Sequence, residues 1–493
     1  MTKTLADKRS RVVPEENSTP SDTSNPSTVE PVSVDTENAV VNTRPVENSS
    51  PALTDIEFTR EAVEAQGNHI KQVDRDEDAE LDLFCYVKCS PNDNAIIRNC
   101  RGVVFHKDQK VLQGFPYTTE YNHTQLTELE NVFPSLEGYS VYHSYEGALV
   151  RVFYFSGKWY VSTHRKLDAF RSKWASRESF GSIFKRSVLN EVNTSKALGT
   201  FVKKGETDEE TYNNFFSLLN KNHQYMFLIR NTPENRIVSL APENPTMFHV
   251  GTFVEGKLNM SVDIGVRHPE KHNVLNLDEL CNYISKMDPK YLQGVIVFLP
   301  DGVTQVKVLN KEYQELFDAR GNEPSVKFRY LQVRMNKNQT RMLYYLYPEH
   351  RAVFDEYEDT LYDIARTLYR AYVQRFIKRR YITVPNQEFQ IIRECHEWHR
   401  EDPKENRINI QKVIDVLNTQ PPTNLNHIIR RYKADQIKKK EQNKAGTPRP
   451  SIFSPKNRST PRRTIGPSPG GTSSRHSSGP VSPMMLPRTD VAV

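Results

Sequence analysis

The stretch that decides the fold is YHSYEGALVRVFYFSGKWYVSTHRKLDAF, residues 142–170. It contains two short runs of β-branched and aromatic residues, ALVRVFYF and KWYVSTH, separated by the turn sequence SGK. Runs of this composition, bounded by turn residues, are typical of a β-hairpin. The stretch therefore predicts two neighbouring antiparallel strands.

Similar short runs lie on both sides of this hairpin. They are CRGVVF (100–105), QYMFLIR (224–230), RIVSLA (236–241) and GVIVFLP (294–300). Two longer segments between the runs, SFGSIFKRSVLNEV (179–192) and YNNFFSLLNKN (212–222), have the pattern of helices. The mixture predicts an α+β domain built on antiparallel sheets over residues 80–345.

The pattern changes after Pro348. Apolar residues then recur at steps of three and four, which predicts one buried face of a long helix, formed by Phe354, Tyr357, Leu361, Ile364, Leu368, Tyr372 and Phe376. Further helices are expected around 386–400, 408–418 and 424–440. Residues 346–435 are therefore predicted to form a separate all-helical domain.

The two ends of the chain differ from this middle part. Residues 1–50 contain no aromatic residue and are rich in Ser, Thr, Pro, Asn, Glu and Val, and residues 436–493 are rich in Ser and Pro and are basic. Such segments bury too little apolar surface to offset the entropy of ordering, so both are predicted to be disordered. Residues 430–463 contain twelve Lys or Arg residues and only two acidic residues, Asp435 and Glu441. That run suits nucleic-acid contact, nuclear import or plain solvation.

Composition also excludes several classes of protein. The five cysteines are too few and too irregular for a disulfide framework. No signal peptide and no apolar run long enough to cross a membrane is evident, so the expected location is cytoplasmic or nuclear. The CHEWH segment (395–399) places His396 and His399 three residues apart rather than the four of a zincin helix, so no metal site is predicted there.

Five sequence elements follow one another in a distinctive order. They are IIRNCRGVVF (96–105), SYEGALVRVF (144–153), FLIRNTPENRIVS (227–239), QGVIVFLPDG (293–302) and SVKFRYLQVR (325–334). In this order the chain resembles the adenylyltransferase domain of the T4 RNA ligase 1-like family, over about residues 80–335. The resemblance implies a nucleotidyltransferase fold of the kind seen in large DNA viruses.

In that family a lysine attacks the α-phosphate of ATP, and the resulting AMP passes to an RNA 5′-phosphate. Carried over by resemblance, Ser144 stands in place of the lysine, and Glu146 keeps a carboxylate that holds ribose. Ile229 and Gln293 stand where two further carboxylates are expected. The basic positions are kept as Arg101, Lys327 and Arg329, which are the predicted contacts to nucleotide or RNA.

These departures predict a protein that has lost the chemistry of a ligase. A serine cannot form the phosphoramidate, Ile229 replaces a carboxylate by an apolar group, and Gln293 lacks the charge that would hold a metal ion. No catalytic residue and no cofactor are therefore predicted. The expected function is RNA binding through a basic groove, with nucleotide binding an open question.

Two other functions stay open. Lys166, in KLDA (166–169), is a candidate for a relocated nucleophile, in which case the protein is an active RNA ligase that uses ATP and Mg²⁺. A third class is a protein–protein scaffold. Further expected partners are proline-directed kinases, because five Ser or Thr residues precede proline in the tail: Thr447, Ser454, Thr460, Ser468 and Ser482. No membrane partner is expected.

Overall fold

The computed structural model describes residues 58–445. The disorder predicted for residues 1–50, the five Ser/Thr-Pro sites and most of the basic tail lie outside the described residues. The described part falls into two compact units, which divide between Asp355 and Glu356. Within it no helix is long and apolar enough to cross a membrane.

The first unit, residues 58–355, holds all the described strands. In chain order they are β1 Ile70–Asp76, β2 Leu81–Tyr86, β3 Arg101–His106, β4 Gln109–Leu112, β5 Thr119–Asn122, β6 Ser140–Ser144, β7 Gly147–Phe155, β8 Lys158–Ser162, β9 His223–Arg230, β10 Met247–Val254, β11 Lys257–Asn259, β12 Lys271–His272, β13 Gly294–Phe298 and β14 Gln305–Leu309. The predicted hairpin of residues 142–170 is present as β7 and β8, which pair antiparallel. Strand β1 precedes residue 80, where the domain was predicted to begin.

The strands form three sheets. The first is the four-stranded sheet β1-β2-β3-β4. The second has the order β11-β10-β9-β7-β8, and the third has the order β12-β6-β13-β14-β5. Every pair is antiparallel except β14 with β5. The predicted α+β class with antiparallel sheets is confirmed.

The helices, again in chain order, occupy both units. They are α1 Arg60–Glu64, α2 Ala95–Asn99, α3 Leu126–Val132, α4 Phe180–Thr194, α5 Lys196–Phe201, α6 Asp208–Ser217, α7 Leu277–Ser285, α8 Lys311–Arg320, α9 Val326–Val333, α10 Lys337–Leu346, α11 Arg351–Tyr372, α12 Asn386–Glu401, α13 Ile410–Asn418 and α14 Pro422–Ala445. Several begin at side-chain caps; for example, the Ser179 hydroxyl accepts a hydrogen bond from the backbone N–H of Ser182 at the start of α4.

One apolar cluster joins the three sheets of the first unit. It includes Leu83 and Val104 from the first sheet, Phe153 and Met226 from the second, and Phe298 from the third. A second cluster lies on the other face of the second sheet, where α4 and α6 pack. The second sheet is therefore covered on both faces, which fixes the position of β7 and of the segment that leads into it.

The second unit, residues 356–445, is helical, as predicted. Four residues of the predicted apolar face, Leu361, Ile364, Leu368 and Tyr372, are buried. Helix α14 continues to Ala445, so residues 436–445 are helical and the prediction that the disordered tail starts at 436 is wrong. Lys, Gln, Glu and Ala favour a helix even where they bury little surface, and that propensity outweighs the high charge.

Candidate functional site

The S-x-E-G segment lies where the chain passes between two sheets. Ser144 ends β6 in the third sheet, Gly147 begins β7 in the second, and Tyr145 and Glu146 connect them. Gly147 allows a close approach, because a Cβ atom there would lie 2.3 Å from the carbonyl oxygen of Ile229. The glycine of this motif is therefore required by strand packing.

Ser144 belongs to a buried chain of hydrogen bonds. Its hydroxyl donates to Oε1 of Gln293 at 3.0 Å, and Nε2 of Gln293 donates to the Tyr313 hydroxyl at 2.8 Å. The Tyr313 hydroxyl in turn donates to Glu146 Oε2 at 3.1 Å. Burial, and next the charge of Glu146, raise the pKa of Tyr313 well above its usual value. The two positions where the resemblance expects a lysine and a carboxylate thus bond to each other as neutral groups.

Glu146 is held by the segment PENRIVS. Its two carboxylate oxygens accept hydrogen bonds from the backbone N–H groups of Ile237, Val238 and Ser239, at 2.5 to 2.9 Å. The side chain of Asn231 donates a further bond of 2.7 Å. With the bond from Tyr313, the carboxylate accepts five hydrogen bonds and is 1% exposed. In this structure Glu146 organises the site internally and presents no oxygen to a ribose hydroxyl.

Ile229 is part of the hydrophobic core. It is 1% exposed and belongs to the cluster on the α4 side of the second sheet, with Val150, Phe227 and Met247. An ionised carboxylate here would be buried among apolar side chains.

Lys166, the candidate for a relocated nucleophile, lies in the turn that follows β8. Its Nζ atom is 3.4 Å from Oδ1 of Asp74, whose side chain is almost completely buried. The same carboxylate also pairs with Arg171 and accepts a bond from the backbone N–H of Leu167. Lys166 takes no part in the hydrogen-bond chain of Ser144.

Lys327 and Arg329 lie on helix α9. Residues two apart on a helix are rotated by about 200°, so these two side chains do not form a pair on one surface. The Arg329 guanidinium donates to the carbonyl oxygens of Ala319 and Asp318 at the end of α8, at 2.9 and 2.7 Å, whereas Lys327 is exposed. Arg329 is therefore engaged in capping a helix, and Lys327 alone is presented to solvent.

Sequence reasoning missed Lys307, a buried cation on the third sheet. Its Nζ atom lies 2.7 Å from Glu120 Oε1 on β5, and its strand β14 pairs with β13, whose first residue follows Gln293. The alternation of Gln305 and Lys307 with Val306 and Val308 was the available signal. Two later cations, Lys327 and Arg329 of SVKFRYLQVR, were predicted as contacts instead.

Arg101 lies in a cluster of positive groups. Arg151, from β7, is fully buried and donates to the carbonyl oxygens of Gly102 and Thr163. Burial lowers the pKa of Arg151 to about 9. His164 has a pKa far below its usual value, first because of burial and then because of Arg101, Arg165 and Arg151. All the charged groups that lower the pKa of His164 are thus cations.

The packing of this arginine cluster, defined as Arg101, Arg151, Arg165 and His164, is tight. A Cβ atom at Gly102 would lie 2.6 Å from Cα of His164 and 2.7 Å from an Arg151 nitrogen, so the R-G pair of CRGVVF needs its glycine. The Nε atoms of Arg151 and Arg165 are buried with no hydrogen-bond partner. Buried donors without an acceptor, in a net positive cluster, are chemically suited to an anion.

The histidines of CHEWH have structural contacts. His396 stacks on Phe376 at 4.0 Å between ring centroids, and Nδ1 of His399 lies 2.7 Å from the carbonyl oxygen of Asn406. Across residues 58–445, no group of three His, Cys, Asp or Glu side chains is arranged to hold a metal ion.

A cavity of about 970 Å³ lies beside β8 and α6 in the first unit. It is lined by aromatic and charged side chains such as Trp159 and Lys221, and Ser144 is not among them.

No protein-family model matches the chain. The immediate-early protein ICP-46 homolog of Invertebrate iridescent virus 6 is 30% identical over 339 residues, which are 65% of this chain and 71% of that protein. The ICP-46 homolog of Invertebrate iridescent virus 3 is 28% identical over 57% of this chain and 60% of its own length. Immediate-early protein ICP-46 of Frog virus 3 (isolate Goorha) is 27% identical over 50% of this chain and 62% of its own length.

Two solved structures are similar to parts of this chain. One is described as an ATP-dependent DNA ligase from Aquifex aeolicus (TM-score 0.33, 13% identity, 61% of this chain and 71% of that chain). The other is an archaeal ATP-dependent RNA ligase (TM-score 0.32, 10% identity, 60% of this chain and 75% of that chain). The resemblance to the T4 RNA ligase 1-like family stays a prediction.

Proposed function

The chain belongs to the family of the ICP-46 immediate-early protein homologues of iridescent viruses, and we propose that it is a catalytically silent, ligase-like protein that binds RNA through phosphates. The observation that carries the binding part is the arginine cluster. Three arginines from different parts of the first unit converge there, and two of them keep a buried N–H without a partner. RNA phosphates supply the negative charge that this cluster lacks, and its partly exposed members Arg101 and Arg165 are the ones that can contact them.

The proposed lack of catalytic activity rests on the Ser144 site. A nucleophilic lysine needs space beside the nucleotide and a partly lowered pKa. Here the corresponding side chain is a buried serine whose hydroxyl is bonded to Gln293. Glu146 is already saturated with donors, so neither the nucleophile nor the ribose contact of an adenylyltransferase is available.

The test of RNA binding compares two double variants by fluorescence anisotropy with a labelled RNA. Arg101→Ala/Arg165→Ala removes two members of the arginine cluster and leaves Arg151, which holds backbone carbonyls, in place. We expect affinity to fall about ten-fold or more, and the slope of log affinity against log salt to decrease by roughly 1 to 2. Lys327→Ala is expected to have a smaller effect of the same kind.

The matched control is Lys257→Ala/Lys290→Ala, which removes the same charge from exposed positions of the same unit. Equal losses in both double variants would show that only net charge matters and would contradict a phosphate site at the arginine cluster. RNA affinity that does not change between low and moderate salt would contradict the proposal altogether.

The proposed absence of self-adenylylation is tested with α-labelled ATP and Mg²⁺. We expect no covalent adduct on the wild-type chain, and mass spectrometry of the digested protein to show no adenylylated lysine. An adduct mapped to Lys166 and absent from Lys166→Ala would instead support the active ligase. The ion pair with Asp74 argues against that outcome, because the amine already has an acidic partner.

A further inference from the structure

The second unit exposes a short segment of unusual composition. Residues 377–381, with the sequence IKRRY, are all exposed, and Tyr381 is 90% exposed while Ile377 is 62% exposed. A tyrosine and an isoleucine this open to solvent, on either side of three consecutive cations, form an aromatic and basic surface rather than part of a core.

The backbone of the 377–381 segment is fixed by hydrogen bonds, although its side chains are exposed. A short π-helix, Val373–Ile377, leads into it, and such turns are frequent at functional sites. The N–H groups of Lys378 and Arg380 donate to the carbonyls of Val373 and Gln374, each at 2.9 Å. Arg379 has a φ of 53°, in the left-handed region. The fold thus fixes a turn that directs its side chains outward.

The charge around this segment has one sign. From Ile364 to Gln387 the sequence contains no Asp or Glu and six Lys or Arg residues. Arg375 is used structurally, since its guanidinium lies 4.7 Å from the centre of the Phe389 ring. The side chains of Lys378, Arg379 and Arg380, in contrast, make no hydrogen bond or ion pair with any residue between 58 and 445.

We propose that the 377–381 segment binds single-stranded RNA, with a base stacked on Tyr381 and the adjacent phosphates held by Lys378, Arg379 and Arg380. This inference rests on the proposed RNA binding and specifies the form of RNA. Stacking on an aromatic side chain requires a base that is free of its own stack, which single strands offer and duplexes do not. The cations then contribute without sequence preference, as phosphate contacts do.

The experiment measures the affinity of the full-length chain for a labelled single-stranded RNA of about twelve nucleotides and for the same sequence as a duplex. Tyr381→Ala is expected to weaken single-strand binding roughly ten-fold and to leave duplex binding unchanged. Tyr381→Phe keeps the ring and is expected to bind like the wild type. The variant Lys378→Ala/Arg379→Ala/Arg380→Ala is expected to lower the salt slope for the single strand by about 2.

Two controls match these changes. Tyr291→Ala removes another exposed tyrosine, and Lys257→Ala/Lys286→Ala/Lys290→Ala removes three exposed cations, all from the first unit. Because every changed side chain is exposed, the variants are expected to fold, which circular dichroism and thermal unfolding verify.

The remaining outcomes separate the possibilities. An unchanged single-strand affinity in Tyr381→Ala, or an equal loss for the duplex, would overturn the inference while leaving the proposed function intact. A wild-type chain that binds neither RNA would refute the proposed function itself. Binding to phosphatidylserine vesicles that depends on the 377–381 segment, with RNA binding unaffected, would identify a membrane surface and overturn the inference.

Discussion

The hydroxyl of Ser144 and the side-chain amide of Gln293 face each other at 3.0 Å in the interior of the first unit. Their backbones are joined as well, since the N–H of Gln293 donates to the carbonyl oxygen of Ser144 at 2.9 Å. The two positions where a ligase would carry charged groups are therefore adjacent, neutral and bonded to each other. A serine hydroxyl that donates to a neutral amide stabilises the fold but is not activated as a nucleophile.

Replacing Ser144 by alanine is expected to lower the free energy of unfolding by about 1 to 2 kcal/mol, because Oε1 of Gln293 then loses its donor in a buried site. Urea denaturation measures the change. Ser261→Ala, at an exposed position, serves as the control and is expected to change stability by less than about 0.5 kcal/mol. RNA affinity is expected to be the same in both variants.

Charging the same two positions tests their proximity. Ser144→Lys and Gln293→Glu are each expected to destabilise the protein, because each buries a charge without a partner. The double variant is expected to be more stable than the sum of the single effects predicts, by about 1 kcal/mol or more, since the new charges pair. Strict additivity in a double-mutant cycle would contradict the geometry of this site.

Ile229→Glu is expected to cost several kcal/mol of stability or to prevent folding, because it places a carboxylate in a buried cluster of apolar side chains. Ile229→Leu keeps the apolar volume and is expected to cost less than about 1.5 kcal/mol. Thermal unfolding compares the two. Tolerance of the glutamate would mean that Ile229 reaches solvent or a positive group.

Gly294→Ala is expected to be strongly destabilising. Gly294 has a φ of 146°, and a Cβ atom there would lie 2.1 Å from the carbonyl oxygen of Val308 on the neighbouring strand. Gly157→Ala is the informative comparison, because Gly157 also has a positive φ, 88°, but open space around its Cβ position. A loss in Gly294→Ala no larger than that in Gly157→Ala would show that the strands separate easily.

His249 gives the protein a predicted dependence on pH. It is fully buried, and burial, followed by the neighbouring His268, lowers its pKa to about 3. The unfolded chain therefore binds this proton more readily than the folded chain, and stability falls as pH drops below about 6.5. Between pH 7 and pH 5 the loss is about 2 kcal/mol. In His249→Gln the stability should depend less steeply on pH over this range; an unchanged slope would exclude His249 as the cause.

Much of the architecture follows from local pattern, and the exceptions have physical causes. The hairpin of β7 and β8 and the helices α12 and α13 were predictable from alternation, periodicity and turn residues. The separation of Lys327 and Arg329 was harder to anticipate, because it follows only from the helical conformation of α9. Lys307 was not predicted as a site residue, and its partner Glu120 could not be, because only the pairing of β14 with β5 brings these distant residues together.

The saturation of Glu146 was the least predictable feature of the site. Three of its donors are backbone N–H groups, which every residue except proline has, so no residue type marks them in the sequence. The packing of Ile229 and the hydrogen bonding of Ser144 were within reach, because one side chain is apolar and the other carries a hydroxyl group. The exposure of Tyr381, by contrast, depends on how the helices of the second unit end.

Three of the glycines with close contacts, Gly102, Gly147 and Gly294, indicate which motif residues the fold itself requires. Each is required because neighbouring backbone or a buried side chain occupies the space that a Cβ atom would take. Selection for folding alone therefore preserves them, whereas selection for catalysis is needed to preserve a lysine or a metal-binding carboxylate. A chain that no longer catalyses the reaction would therefore keep these motif glycines as long as it keeps the fold.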